Sequence, residues 1–241
     1  MAQDPLARFP LNRRAAAKQQ TRRRLIDAAR ALVAERGYEA ATLRDVAERA
    51  RVSTGAVFAS FEDKADLFNA VVLDDQAALL SRMRHAAEGA ASAGEALFDM
   101  LMAGYAQWID QPSLIQAQLG FSWSSGRALE LRRGEARRLI LEALAEPLRE
   151  GLIRGELSAP MDTALIAEMA WDAYVAGWRG VIFDGFDLNE TSRRLAARLD
   201  VLLDGYRSDK ASIRSRGLAL AGEPPVRLSR PDAPPRRALH G

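Results

Sequence analysis

Residues 52 to 68 read VSTGAVFASFEDKADLF. Ser53 and Thr54 put two hydroxyls at what reads as the start of a short helix, Gly55 follows, and Lys64 opens the next helical segment. Hydroxyls and free backbone N–H groups at a helix start suit a phosphate. Gly55 costs about 1 kcal/mol against alanine in a helix, so the stretch is either a loose turn or a place where something approaches the backbone. No set of residues for catalysis accompanies it. Cysteine is absent, and the two histidines, His85 and His240, are far apart. Thiolate chemistry, a His-dependent nucleophile triad and a His-rich metal site therefore lack their residues. The phosphate-cradling pattern GxxxxGK[ST] is absent. The pair Asp74-Asp75 reads as surface charge. Glu142, Glu146 and Glu150, beside Arg138 and Arg149, read as a solvated ion-pair stripe. No enzyme, cofactor or metal is expected.

The elements that must position Ser53 and Lys64 can be read from apolar spacing. Residues 19–36 carry Leu25, Ala29, Leu32 and Val33 on one helical face, and Gly37 follows as a stop. Thr42 and Asp45 form an N-terminal cap for a helix over about 43–50, with Leu43, Val46, Ala47 and Ala50 inward. Arg51 and Val52 make a tight joint, and Ser53 caps a third short helix over about 54–60 with Val57, Phe58 and Phe61 apolar. Two short helices joined so tightly form a helix-turn-helix. In that arrangement the second helix enters the major groove of DNA, N-terminus first. Gly55, Ala56 and Ala59 would let its backbone come close, and Ser53 and Thr54 would meet phosphate.

Residues 21–68 resemble the tetracycline-repressor-like (TetR) family of transcriptional regulators. The resemblance is carried by Gly37-Tyr38, Thr42, Asp45-Val46-Ala47, Val52-Ser53, Gly55, Phe58, Phe61, and Lys64 before Leu67. It implies that Thr42 and Arg44 touch phosphates, that Ser53, Thr54, Gly55, Ala56, Val57 and Phe58 lie along the groove, that Lys64 holds a phosphate, and that Ser60 stands at a further phosphate position. Phe58 stands where tyrosine is common and Ser60 where histidine or tyrosine is common, so two phosphate contacts are missing or weakened. Thr54 and Ala56 could meet a thymine methyl, and Arg44 is the candidate for guanine. Arg13, Arg14 and Arg22 to Arg24 either add DNA contacts or belong to a solvated arm.

Behind this segment the pattern is helical throughout, over about 94–110, 113–121, 126–152, 162–184 and 189–206, with Pro147 expected to kink the third and Asn189 to cap the fifth. The fold expected is all-α: a flexible basic arm at 1–18, a three-helix DNA-binding domain at 19–64, a larger helical effector-binding and dimerisation domain at 65–206, and a basic Pro-rich tail at 207–241 that reads as disordered. Trp171, Tyr174 and Trp178 share a face, and with Tyr105, Trp108, Phe121 and Trp123 they either line an apolar effector pocket or are plain core. The pocket is expected to hold few charges. The resemblance implies a homodimer through the last two helices. The small residues Ala173, Ala176, Gly177 and Gly180 and the leucines Leu195, Leu199 and Leu202 are the candidates for that interface.

Charge follows the same division. Residues 1–64 hold 13 Lys+Arg against 8 Asp+Glu, and residues 65–206 hold 13 against 21. The net charge of +2 and the 48 % apolar content fit a chain with a sizeable core and different partners for different segments. No run of 18 apolar residues and no secretory leader is evident, so a cytoplasmic chain without a membrane span is expected. The expected function is a DNA-binding regulator, most simply a repressor released from a palindromic operator by a hydrophobic or aromatic small molecule. The alternative is a DNA-binding protein controlled by a protein partner or by abundance alone.

Overall fold

The computed structural model describes residues 10–207, except 125 and 159. Among the described residues there are nine helices and no strand: α1 (Pro10–Ala40), α2 (Leu43–Arg49), α3 (Thr54–Phe58), α4 (Lys64–Ala86), α5 (Ala93–Trp108), α6 (Pro112–Ser124), α7 (Arg127–Ile153), α8 (Thr163–Asp184) and α9 (Leu188–Leu203). None of them is long and apolar enough to cross a membrane, and among the described residues no group of three or more His, Asp or Glu could hold a metal ion.

Local signals set most of the helix ends. Gly37 breaks α1 with φ 77°, a left-handed conformation that favours glycine. Thr42 accepts from the Asp45 N–H while Asp45 accepts from the Thr42 N–H, completing a capping box. Asp63 caps α4 and Asp162 caps α8 by side-chain bonds to the first-turn amides. Two expectations are corrected here. The segment 10–18, expected as part of a flexible arm, is already helical in α1. Asn189 does not cap α9; Asp187 does, accepting from the Glu190 N–H at 2.8 Å. Both residue types are good caps. Helix α7 runs on through Pro147 to Ile153. Residues 208–241 of the tail and the first nine residues lie outside the described residues.

One hydrophobic core runs through the molecule. Helices α2 and α3 pack on each other and α2 on α1, while α1 lies against α4 and α6. Helices α4, α5, α7, α8 and α9 then pack as a bundle. Between α5 and α8, each helix offers a glycine to the other's tyrosine. A Cβ on Gly104 would lie 2.6 Å from the Tyr174 hydroxyl and 2.9 Å from its ring. A Cβ on Gly177 would collide with the Tyr105 hydroxyl, which donates to the Tyr174 carbonyl at 2.6 Å. Gly180 leaves room for the Phe186 ring in the same way. The small-residue face of α8 is therefore largely filled from within the subunit, which corrects its assignment to a dimer interface for Gly177 and Gly180. Leu195 and Leu199 are corrected likewise: they are 1 % and 0 % exposed and belong to the core. Leu202 is only half-buried and leans on that core.

Gly104→Ala is expected to destabilise the fold by about 1–3 kcal/mol, the usual cost of overpacking a buried contact. Combining it with Tyr174→Phe removes the nearest atom and should recover part of that loss. Urea unfolding of the two single variants and the double variant measures the coupling; strict additivity would show that the clash is relieved elsewhere.

Candidate nucleic-acid interface and effector cavity

The turn between α2 and α3 is held from behind by α1. Arg51 sits in it with φ 53°, a conformation costly for a residue with a Cβ. Arg24 donates to the Ala50 carbonyl and, at 3.3 Å, to the Arg51 carbonyl. Arg22 donates to the Ser60 carbonyl at 2.8 Å and stacks over the Phe61 ring at 4.1 Å. Arg23 pairs with Asp74 at 2.5 Å. Of the three arginines, candidates for DNA contacts, Arg22 and Arg24 thus brace the helix-turn-helix from α1, and Arg23 ties α1 to α4. Their roles required knowing that α1 passes behind the turn.

The remaining candidates differ in exposure. Thr42, Arg44, Ser53, Thr54, Gly55 and Phe58 are exposed, and Ala56, Ser60 and Lys64 are half-buried. Ser53 accepts from the Ala56 N–H at 3.2 Å as the cap of α3. The Ser60 hydroxyl donates to the Ala56 carbonyl at 3.0 Å. Val57 is 0 % exposed, so it packs inward and cannot lie against a groove. Gly55 has no positive φ, and a Cβ there would meet only the Ser53 hydroxyl at 3.8 Å. Nothing in the fold requires that glycine. Lys64 is held by the Glu39 carbonyl at 3.1 Å and over the Tyr38 ring at 4.3 Å, which fixes the start of α4 beside α1.

A cavity of about 310 Å³ opens between α4, α5, α6, α7 and α8. Trp108, Trp171, Tyr174 and Trp178 form its aromatic wall, and Trp123, 87 % exposed, stands at its rim. Two expected residues are elsewhere. Tyr105 lies behind the wall, stacked on Tyr174 and Trp178 with centroids 4.7 and 4.9 Å away. Phe121 is in a cluster with Tyr38 and Phe68, with centroids at 5.6 and 5.1 Å. Burial holds the Tyr105 and Tyr174 phenols protonated far above the usual range, so both act as neutral hydrogen-bonding groups.

The cavity also contains charges, contrary to expectation. Asp75, Glu130, Arg133, Arg137 and Asp172 all line it. Arg133 is 3 % exposed, bonds Glu130 at 2.8 Å, and lies 5.1 Å over the Phe121 ring. Asp75, expected at the surface, is 4 % exposed. Its carboxylate accepts from Arg30 Nε of α1 at 2.7 Å and from Gln118 Nε2 of α6 at 2.5 Å. Burial pushes the Asp75 carboxyl above the usual aspartate range, with the Arg30 guanidinium pulling against it. The acidic pair is plain in the chain, but the helices that cover it are not. By contrast, Glu142, Glu146 and Glu150 are the expected surface stripe, paired with Arg149, Arg84 and Arg154.

Residues 25–71 match the family model described as bacterial regulatory proteins, tetR family. These residues carry a tetR-family DNA-binding segment. Among curated proteins it is similar to the HTH-type transcriptional regulator UidR of Escherichia coli K12, at 23 % identity over 154 residues covering 64 % of this chain and 78 % of that protein. It is also similar to the HTH-type transcriptional repressor KstR2 of Mycobacterium tuberculosis, at 26 % over 157 residues covering 61 % and 76 %. Among solved structures, the transcriptional regulator FadR of Bacillus subtilis in complex with stearoyl-CoA has the same fold, with a TM-score of 0.66 at 23 % identity over 76 % of this chain and 97 % of that one. TetR-family chains carry an N-terminal helix-turn-helix and a larger helical C-terminal domain, which is the division seen here between α1–α3 and α4–α9.

Proposed function

We propose that this chain is a cytoplasmic homodimeric repressor of the TetR kind that leaves a palindromic operator when a small molecule enters the α4–α8 cavity. Thr42, Arg44, Ser53, Thr54, Gly55, Ala56, Phe58, Ser60 and Lys64 form the DNA contact set, without Val57. The effector has an aromatic or apolar body, for the tryptophan wall, and polar groups for the charges beside it. A complex of the similar FadR with stearoyl-CoA supports a ligand in this fold. The carrying observation is that cavity residues touch the parts that hold the DNA-binding face. Gln118 donates to Asp75, and Asp75 accepts from Arg30 of α1. Arg133 reaches Phe121, Phe121 reaches Tyr38, and Tyr38 lies under Lys64. A ligand acts through these contacts only insofar as it binds the two arrangements with different affinity.

Selection of bound duplexes from a random pool, repeated over a range of salt, tests the DNA half. One enriched palindrome is the expected result. Salt-sensitive binding with nothing enriched would leave a DNA-binding protein without sequence readout. Release of the selected operator by members of a metabolite library tests the effector half; a library that never releases it favours control by a protein partner or by abundance.

Lys64→Ala is expected to weaken binding to all sequences alike and to lower the salt slope by about 1, the signature of one lost phosphate contact. Lys64→Met keeps the stem over Tyr38 and separates packing from charge. An unchanged slope in both would remove Lys64 from the phosphate contacts.

A further inference from the structure

The charges around the α4–α8 cavity do not cancel. Arg133 is bonded to Glu130 at 2.8 Å and Arg137 to Glu168 at 3.0 Å. Asp75 is answered by Arg30 at 2.7 Å. Asp172 also lines the cavity, is exposed, and forms no ion pair among the described residues. One negative charge is thus left over beside the aromatic wall. Trp171, its neighbour in the chain, belongs to that wall, with the Tyr174 ring centroid 5.0 Å from its own. A second group is also unanswered. Gln76 of α4 lines the cavity, and its side-chain carbonyl oxygen is buried with no hydrogen-bond partner. A buried acceptor without a donor is costly, and one that faces a cavity can be satisfied by what enters it.

We infer that the effector is a protonated amine on an aromatic or apolar body, with its charge set against Asp172 and an N–H donor against the Gln76 carbonyl. The inference rests on the effector reading of this cavity and gives the effector a sign of charge. Three features call for the same ligand. The Asp172 carboxylate answers a positive charge, the Gln76 oxygen accepts from an N–H, and tryptophan faces attract a cation as well as an apolar body. An anionic effector meets the opposite conditions. Both cavity guanidiniums are already bound to a glutamate, so a carboxylate or phosphate would have to displace one and would still face Asp172. A neutral body fills the space and leaves Asp172 as it was. The cavity volume of about 310 Å³, near the lower end for ligand sites, limits the body to a few rings. Because Asp172 is open to solvent, where an ion pair is weak, its share of the discrimination is modest and falls with salt.

Naphthylmethylamine, protonated at neutral pH, naphthylmethanol and naphthylacetate share one ring body and differ in charge. Titration calorimetry of the full chain with each, at low salt, gives their order. The amine is expected to bind about fivefold tighter than the alcohol and at least about tenfold tighter than the carboxylate. Its trimethylated form keeps the charge but has no N–H, and should lose part of that advantage. Asp172→Asn should bring the amine to within about twofold of the alcohol and abolish the salt dependence of its binding. Gln76→Met should weaken the amine and leave the trimethylated form unchanged. Circular dichroism confirms that both variants are folded. A carboxylate that binds as tightly as the amine overturns the sign of charge and leaves the effector cavity standing. An amine that binds parent and Asp172→Asn alike overturns the site. If none of the three binds at millimolar concentration, the inference is overturned. The effector reading itself is then decided separately, by release of the operator with the metabolite library.

Discussion

Gly55→Leu is expected to lower affinity for a selected operator on the order of 100-fold, while Gly55→Ala raises folding stability by up to about 1 kcal/mol. The opposite signs follow from what surrounds the glycine. Its backbone is not left-handed, and an added Cβ meets only the Ser53 hydroxyl, at the ordinary contact distance of 3.8 Å. The fold would therefore accept a side chain, and alanine removes backbone freedom from the unfolded chain. On the proposed reading, a partner outside the subunit that comes close to α3 accounts for an exposed glycine that folding does not need. Leucine at the same point would hold the backbone of α3 away from the groove floor and disturb every contact that depends on that distance. Thermal unfolding and fluorescence anisotropy on the operator measure the two effects. A leucine variant that binds normally would remove α3 from the groove. An alanine variant that unfolds more easily would give Gly55 a role in folding.

The residues that could be placed from sequence are those governed by neighbours in the chain. Thr42 and Ser53 cap helices because their partners are three residues away, and Gly37 breaks α1 because its own φ is positive. Helical spacing likewise put Trp171, Tyr174 and Trp178 on one face. Spacing does not say what that face meets. Leu195 and Leu199 form a leucine stripe that could equally serve a second subunit or the core, and contact with the bundle decides for the core. Gly177 and Gly180 looked available for a close helix, yet Tyr105 and Phe186 occupy them from distant parts of the chain. Tyr105 and Phe121 are buried aromatics like Trp178, but only the packing of α5 and α6 shows that they lie off the cavity wall. The charged character of the cavity was hidden for the same reason: Arg133 and Asp75 follow exposed-looking neighbours in sequence and turn inward only in the bundle.

Asp75→Ala is expected to cost about 2–3 kcal/mol of stability at neutral pH, somewhat below the ~3–5 kcal/mol typical when one partner of a fully buried pair is left alone. The side chain of Arg30 is 17 % exposed and keeps its bonds to Asp74 and Asp27, which moderates the loss. Gln118 loses its acceptor as well. The damage should concentrate where α1, α4 and α6 meet, so hydrogen exchange ought to rise at that junction more than in α8 and α9. Asp75→Asn keeps the shape and isolates the charge. Burial raises the Asp75 pKa, so the folded chain holds this proton more tightly than the unfolded chain does. The stability of the parent relative to Asp75→Asn should therefore fall as pH rises from about 4, the ordinary aspartate value, through the raised value, and stay level above it. A difference that instead grew with pH would mean that Arg30 outweighs burial at this site. Urea unfolding of parent, alanine and asparagine variants across that range gives the sign. If the alanine variant costs less than about 0.5 kcal/mol, within the scatter of ordinary surface substitutions, the junction does not hold the DNA-binding lobe to the cavity. The contact between Gln118, Asp75 and Arg30 would then lose its place in the coupling, and the aromatic path from Arg133 through Phe121 to Tyr38 and Lys64 would have to carry it alone.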